Sequence, residues 1–151
     1  MRTHCCYIFS SYLIDYLSEL LSYSATRFVE MIKTLLLVGA GGALGSIARY
    51  AVSLLVAHFS TCSHWASLSV NIVGSFLIGM LVPMLSNNST HLFAVVGFCG
   101  GFTTFSTFSS QAVQLFQSGE RMTATAYVAI SVVFSILSVL LGMYCAERLF
   151  K

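Results

Sequence analysis

Residues Gly97 to Ser110 read Gly-Phe-Cys-Gly-Gly-Phe-Thr-Thr-Phe-Ser-Thr-Phe-Ser-Ser, and they lie in the middle of a long apolar segment. Adjacent glycines have poor helix propensity, and hydroxyl side chains compete with the helix for backbone hydrogen bonds. We therefore predict that a membrane-spanning helix is interrupted here, at Gly100-Gly101 and the hydroxyls that follow. Non-helical backbone at membrane depth is tolerated only where protein or a water-filled cavity shields it. The interruption thus predicts contact with a partner helix or a pore.

The composition is that of an integral membrane protein. Of the 151 residues, 57% are hydrophobic and only 8% are charged, whereas a typical soluble domain has about 25% charged residues. The basic residues form no stripe that could neutralise phosphates, which argues against a nucleic-acid partner. The sequence has no recognisable nucleophile–base pair or metal-ligand set, so we do not expect an enzyme.

The apolar segments predict an all-α protein with four transmembrane helices in residues 31–151. Each segment is long enough to cross a hydrocarbon core of about 30 Å. In the first of them, Gly41 and Gly45 are spaced so that another helix backbone can approach closely. The approximate bounds of the four helices are 34–57, 67–85, 91–117 (the interrupted one) and 123–146.

Residues 1–30 have a different pattern. Phe9 and Leu13 belong to an apolar face with helical spacing, which predicts an amphipathic helix lying on the membrane surface. Asp15 would make insertion as a spanning helix unfavourable. Met31 is followed directly by an apolar run, as at a natural start, so we expect residues 1–30 to be a dispensable or mis-assigned extension.

Polar side chains within the apolar segments are candidates for function. Asn71 is isolated in the second helix, and the residues alone leave open an interhelical hydrogen bond or a pore role. Arg49, in the last turns of the first helix, must snorkel, pair or face a cavity. In the fourth helix Tyr127, Ser131 and Ser135 recur every fourth residue, which predicts a stripe that faces something polar.

Three motifs resemble the signatures of the Fluc/CrcB fluoride channels. Gly41 to Tyr50 resembles the first-helix signature, Asn71 to Ser75 the second and Gly100 to Ser109 the third, in the family's order. The resemblance covers Ile32 to Glu147. It implies a fluoride-selective channel of the inner membrane that lets fluoride leave the cytoplasm and protects the cell from fluoride toxicity.

The resemblance also implies a set of site residues. Arg49 is expected in a vestibule that attracts anions, and the backbone carbonyls of Gly100 and Thr103 are expected to hold a structural, activating sodium ion. An aromatic ring has a positive edge, which can coordinate an anion without a fixed charge. The implied anion path consists of N–H, O–H and ring-edge groups on Asn71, Phe105, Ser106, Thr107, Phe108, Tyr127 and Ser131.

The implied assembly is an antiparallel, dual-topology homodimer with the sodium ion at its centre. Basic residues on the two sides of the core differ little in number: Lys33, Arg148 and Lys151 lie on one side, and Arg121 and Arg49 on the other. The positive-inside signal is therefore weak, and a weak signal is what insertion in both orientations requires. Gln111 departs from the family pattern, in which a glutamate commonly follows the serine pair. Gln111 cannot fill a role that needs a negative charge at this position, but its amide can still form hydrogen bonds.

Two other readings remain. A four-helix, dual-topology drug exporter driven by protons needs an ionisable carboxylate inside the membrane, and the four predicted helices contain no Asp or Glu. A membrane assembly factor fits the glycine spacing but leaves the interruption and the polar stripe unexplained. The channel is therefore the favoured hypothesis.

Overall fold

The computed structural model describes residues 2–59, 64–85 and 88–149, with side chains from Glu19 onward. All of the secondary structure in these ranges is helical. The described chain falls into two compact units, of which the first ends at Leu36 and the second begins at Leu37. Four helical stretches are long and apolar enough to cross a membrane: Glu19–Phe59, His64–Met84, Asn88–Gln117 and Arg121–Leu149. The predicted all-α class and the four spans are confirmed.

The first helix, α1, runs from Arg2 to Phe59 without a break. No glycine or proline precedes Gly39, so nothing in the local sequence ends the helix between the extension and the predicted span at 34–57. The extension is therefore helical but is not a separate element. The side chains of Phe9, Leu13 and Asp15, on which the amphipathic prediction depends, lie outside the described residues.

Helices α2 (His64–Met84) and α6 (Arg121–Leu149) pack against each other. Two glycines allow backbone contact between them. A Cβ atom on Gly79 would lie 2.9 Å from the carbonyl carbon of Val139, and one on Gly142 would lie 2.9 Å from the backbone nitrogen of Met80. Such distances leave no room for a side chain, so this pair of helices depends on small residues for its close approach.

The part of α1 in the second unit packs against the third span. A Cβ on Gly41 would lie 2.9 Å from the nitrogen of Phe98, and one on Gly45 would lie 2.8 Å from that of Phe102. Gly97 faces them, since its added Cβ would lie 3.0 Å from the Cα of Gly41. The predicted close approach at Gly41 and Gly45 is confirmed.

The third span consists of several short segments. Helix α3 (Asn88–His91) continues into a π-helix (Leu92–Cys99), followed by α4 (Gly100–Phe102) and, after two non-helical residues, by α5 (Phe105–Gln117). The sequence did not indicate the π-helix. Residues 86–87, which precede Asn88, lie outside the described residues.

The interruption is confirmed, and it lies at the hydroxyl residues that follow the glycines, whereas the break also predicted at Gly100-Gly101 is wrong. Gly100 is helical, with φ −62° and ψ −38°. The backbone leaves the helix at Thr103 (ψ 161°) and Thr104 (φ −146°, ψ 100°). Gly101 serves packing instead, because a Cβ there would meet the backbone of Gly42. Low helix propensity is only a weak preference, which tertiary contacts override.

The remaining connections lie between α1 and α2 and before α6. Between α1 and α2, residues 60–63 lie outside the described residues, while His58 and His64 are already helical. Before α6, Gly119 adopts φ 86°, a conformation that favours glycine, and so ends the third span.

Candidate functional site

Asn71 on α2 contacts the interruption of the third span directly. Its Oδ1 accepts a hydrogen bond of 2.9 Å from the backbone N–H of Thr104, and its Nδ2 donates one of 3.3 Å to the Thr104 carbonyl. A buried backbone group without a partner would cost about 1–3 kcal/mol. One side chain from a neighbouring helix therefore satisfies the peptide groups that the broken helix leaves exposed.

The hydroxyl of Thr104 starts the next helix. Its Oγ1 accepts a hydrogen bond of 3.2 Å from the N–H of Thr107 and donates one of 2.7 Å to the Thr107 Oγ1. This is an N-cap, which supplies a partner for one of the free N–H groups at the start of α5. On the other side of the interruption, the Thr103 N–H and hydroxyl both donate to the carbonyl of Cys99, each at 3.0 Å.

A cavity of about 340 Å³ lies beside the interruption. It is mostly apolar, and its polar groups are neutral. Ser131 of α6 lines this cavity and is only 4% exposed, yet its hydroxyl oxygen has no hydrogen-bond partner among the described residues. Polar and aromatic residues that line it are Asn71, Ser75, Thr103, Phe105, Phe108, Ser131 and Ser135.

Three aromatic rings follow one another beside this cavity. The centroids of Phe105 and Phe108 are 5.8 Å apart with planes tilted by 46°, and those of Phe108 and Tyr127 are 5.3 Å apart with a tilt of 50°. Phe105 is 80% exposed, whereas Tyr127 is buried. Phe108 thus contacts a ring on each side, in tilted arrangements that are neither stacked nor edge-on.

Tyr127 does not line the cavity. Its hydroxyl donates a hydrogen bond of 2.9 Å to the Oε1 of Gln111. The phenol hydroxyl is therefore used inside the subunit, and the role of Tyr127 as an anion donor stays a prediction. The neutral amide of Gln111 accepts this hydrogen bond, so the contact needs no charged side chain at position 111.

A second cavity, of about 270 Å³, lies on the side of Thr104 and Thr107. Arg49 lines it together with Ser46, Ser53 and Ser67. Arg49 is half-buried, and within the part of the chain whose side chains are described it has no carboxylate partner. An unpaired guanidinium among hydroxyls is an environment that favours anions.

The structure therefore divides the residues predicted for one path. Asn71, Phe105, Phe108 and Ser131 line the first cavity, and Thr107 lies with Arg49 in the second. Ser106 is exposed and lines neither cavity. Sequence reasoning missed Thr104. The available signal was its place three residues before Thr107, ahead of a helix, as in many N-caps.

The carbonyl of Gly100 lacks the donor that an uninterrupted helix would supply. That donor would be the N–H of Thr104, which bonds to Asn71 instead. Thr103 is extended, so its carbonyl leaves the helical direction. A Cβ added to Gly100 would meet nothing within 4 Å. Neutral carbonyl oxygens are ligands that a hard cation can take, and that of Gly100 has lost its helical donor.

Comparison with known proteins assigns the family. A profile described as "CrcB-like protein, Camphor Resistance (CrcB)" matches residues 36–143. A fluoride-specific ion channel FluC of Phocaeicola vulgatus is 41% identical over 120 residues, which cover 76% of this chain and 99% of the relative. The chain belongs to the Fluc/CrcB family of fluoride channels.

Further Fluc/CrcB relatives agree. The fluoride-specific ion channel FluC of Chlorobium chlorochromatii is 41% identical and that of Rhizobium meliloti 42% identical, covering 79% and 72% of this chain and 96% and 92% of the relatives. These relatives are ion channels and not enzymes, and this chain is a multi-pass membrane protein with four candidate spans. Every candidate site residue, from Arg49 to Ser131, falls within the family match.

Proposed function

We propose that the protein is a fluoride channel of the cell's inner membrane, which lets fluoride leave the cytoplasm down its gradient and so protects the cell from fluoride toxicity. Membership of the Fluc/CrcB family supports the identity of the ion. The observation that carries the path is the Ser131 hydroxyl, which is buried and unpartnered at a cavity flanked by two phenylalanines. Since nearly all buried polar groups have a partner, this hydroxyl is suited to a ligand that enters the cavity.

The groups around this cavity match the chemistry of fluoride. A small, strongly hydrated anion needs hydrogen-bond donors that replace its water, and no acidic side chain that would repel it. Ser131 offers a hydroxyl, and the Asn71 side chain, whose amide is hydrogen-bonded to Thr104, lines the same cavity. The edges of Phe105 and Phe108 add positive potential without a charge.

The second cavity fits the entrance of the path. Arg49 would raise the local anion concentration there, and the Thr107 hydroxyl would exchange for water of hydration. Ser106, exposed one residue earlier on α5, would serve an anion at the surface that a second subunit covers. Tyr127 supports the path through the ring of Phe108.

An antiparallel homodimer would complete the path. Phe105 is 80% exposed although it lines the cavity, and Gly100 faces open space. The exposed ring and the open space beside Gly100 would both be covered if a second copy packed against this surface. With tags after Lys151, we expect both orientations in the membrane, measured by accessibility from each side; uniform labelling of one side would contradict the antiparallel arrangement.

The carbonyls of Gly100 and Thr103 fit a sodium ion at the centre of such a dimer, because one has lost its helical donor and the other is turned out of the helix. A bound sodium ion would supply positive potential and hold the two copies together. This chain would prepare the site by keeping the Gly100 and Thr103 carbonyls out of the helical hydrogen-bond pattern.

The alternative of a proton-driven drug exporter has little support. It needs a carboxylate in the membrane, yet residues 31–119 and 121–146 contain no Asp or Glu.

The test is ion flux from liposomes that contain the purified protein. We expect rapid fluoride efflux, measured with a fluoride electrode, and no comparable chloride efflux. Ser131→Ala should reduce fluoride flux, whereas Ser69→Ala should not, because the Ser69 hydroxyl only donates back to the carbonyl of Trp65 on its own helix. Equal efflux of both anions, or none, would contradict the proposal.

A further inference from the structure

We propose that Asn71 is a positioning residue, which acts through the peptide groups of Thr104 to hold the interruption of the third span in place. This role differs from donating a hydrogen bond to the anion. The inference rests on the proposed fluoride channel, because one of its readouts is fluoride current.

The geometry of the contact carries the inference. Asn71 and Thr104 are 33 positions apart, and both ends of the Asn71 amide bond to the backbone of the same residue. A side-chain amide has a carbonyl acceptor and N–H donors, as the backbone does, so its Oδ1 and one N–H can take the place of helical partners. No other residue of the predicted path pairs with backbone across the interruption in the described part of the chain.

Removing this contact would free Thr104 to rejoin the helix. Its N–H would again donate to the carbonyl of Gly100, as in a continuous ladder. The Thr104 hydroxyl would then lose its place as the N-cap of α5, where it bonds to Thr107. Because α5 begins at Phe105, this change would turn the rings of Phe105 and Phe108 relative to α6.

The contact also lies where the two cavities approach each other. Asn71 and Thr103 line the first cavity, and Thr104 and Thr107 line the second. Asn71 therefore fixes three features at once: the Gly100 carbonyl that is left without its helical donor, the direction of the two rings, and the wall between the cavities.

A double substitution separates positioning from direct donation. The first change is Asn71→Ala, and the second replaces the Thr104 backbone N–H by an ester oxygen, which leaves every side chain intact. We expect each change alone to lower the unitary fluoride current in planar bilayers by about tenfold, and both together to lower it no further. Losses that multiply to about a hundredfold would mean that Asn71 acts on the anion independently of Thr104, and would overturn the inference.

Unitary current is chosen because poor folding lowers the number of channels and not the current through each one. Ser69→Ala on the same helix is the matched control and should keep the native unitary current, because its hydroxyl bonds only within α2. An equal drop in the control would show that any loss of a hydroxyl or amide from α2 has this effect, which contradicts the inference.

A second readout does not depend on transport. With 4-fluorophenylalanine at position 108, the ¹⁹F resonance should shift in Asn71→Ala and in the Thr104 ester alike, and should stay in place in Ser69→Ala. An unchanged resonance in Asn71→Ala would overturn the inference. If the native protein passes no fluoride, the proposed function fails, and the ¹⁹F resonance alone decides the role of Asn71.

Discussion

The hydroxyl of Tyr127 donates a 2.9 Å hydrogen bond to the Oε1 of Gln111, which joins α6 to α5. The ring of the same tyrosine contacts Phe108. A neutral amide is a sufficient acceptor for a phenol, so Gln111 makes this contact without adding charge. Tyr127 and Gln111 thus hold the ring that packs against Phe108, which lines the first cavity.

Tyr127→Phe tests what the hydroxyl does. The substitution keeps the ring and its contact with Phe108 but removes the bond to Gln111, so we expect subunit stability in detergent to fall by about 1 kcal/mol. Fluoride flux should stay within about threefold of native, because the structure uses the hydroxyl inside the subunit. Abolished flux in a well-folded protein would show that the hydroxyl touches the anion.

Phe105→Ile and Phe108→Ile keep apolar bulk and remove the positive ring edge. We expect each to lower fluoride flux at least about tenfold, if the edges stabilise the anion by about 1.4 kcal/mol. Only Phe108→Ile should also destabilise the subunit, because Phe108 packs against Tyr127 while Phe105 is 80% exposed. Phe116→Ile, an exposed position on α5, serves as the control. Native flux in both variants would mean that the rings only pack.

Gly100→Leu and Gly101→Ala separate the sodium site from packing. A side chain at Gly100 meets open space, so the leucine should leave the subunit folded while it crowds a partner copy. Sodium-dependent dimer stability, measured against a large organic cation, should then disappear. At Gly101 even a methyl group meets the backbone of Gly42, so alanine should destabilise the subunit by about 1–3 kcal/mol in either cation. A native protein indifferent to sodium would refute the cation.

A variant that starts at Met31 should be inserted and fully active in fluoride efflux. The family match begins at residue 36, and the described contacts of the candidate site all lie in the unit that begins at Leu37. Flux from liposomes at equal protein content is the measurement. Failure of this variant to insert or to pass fluoride would show that the amino-terminal helix is needed.

Much of the architecture could be predicted from the sequence because it depends on local composition. Apolar runs long enough to cross the bilayer gave the four spans, and the spacing of Gly41 and Gly45 predicted close helix contact. The three motifs were enough to predict the family, because the motifs and their order can be read directly from the sequence. The hydroxyl-rich segment also predicted that the third span is interrupted.

The place of the interruption was decided by tertiary structure. Glycine propensity favoured Gly100-Gly101, but a glycine tolerates helical geometry, and the backbone leaves the helix where Asn71 offers Thr104 another partner. That partner lies 33 positions away, so no local pattern reveals it. The division of the predicted path into two cavities was likewise decided by contacts between helices, which no local pattern reveals. Which way Ser106, Thr107 and Phe108 face depends on where α5 restarts, and that point is set by hydrogen bonds between helices.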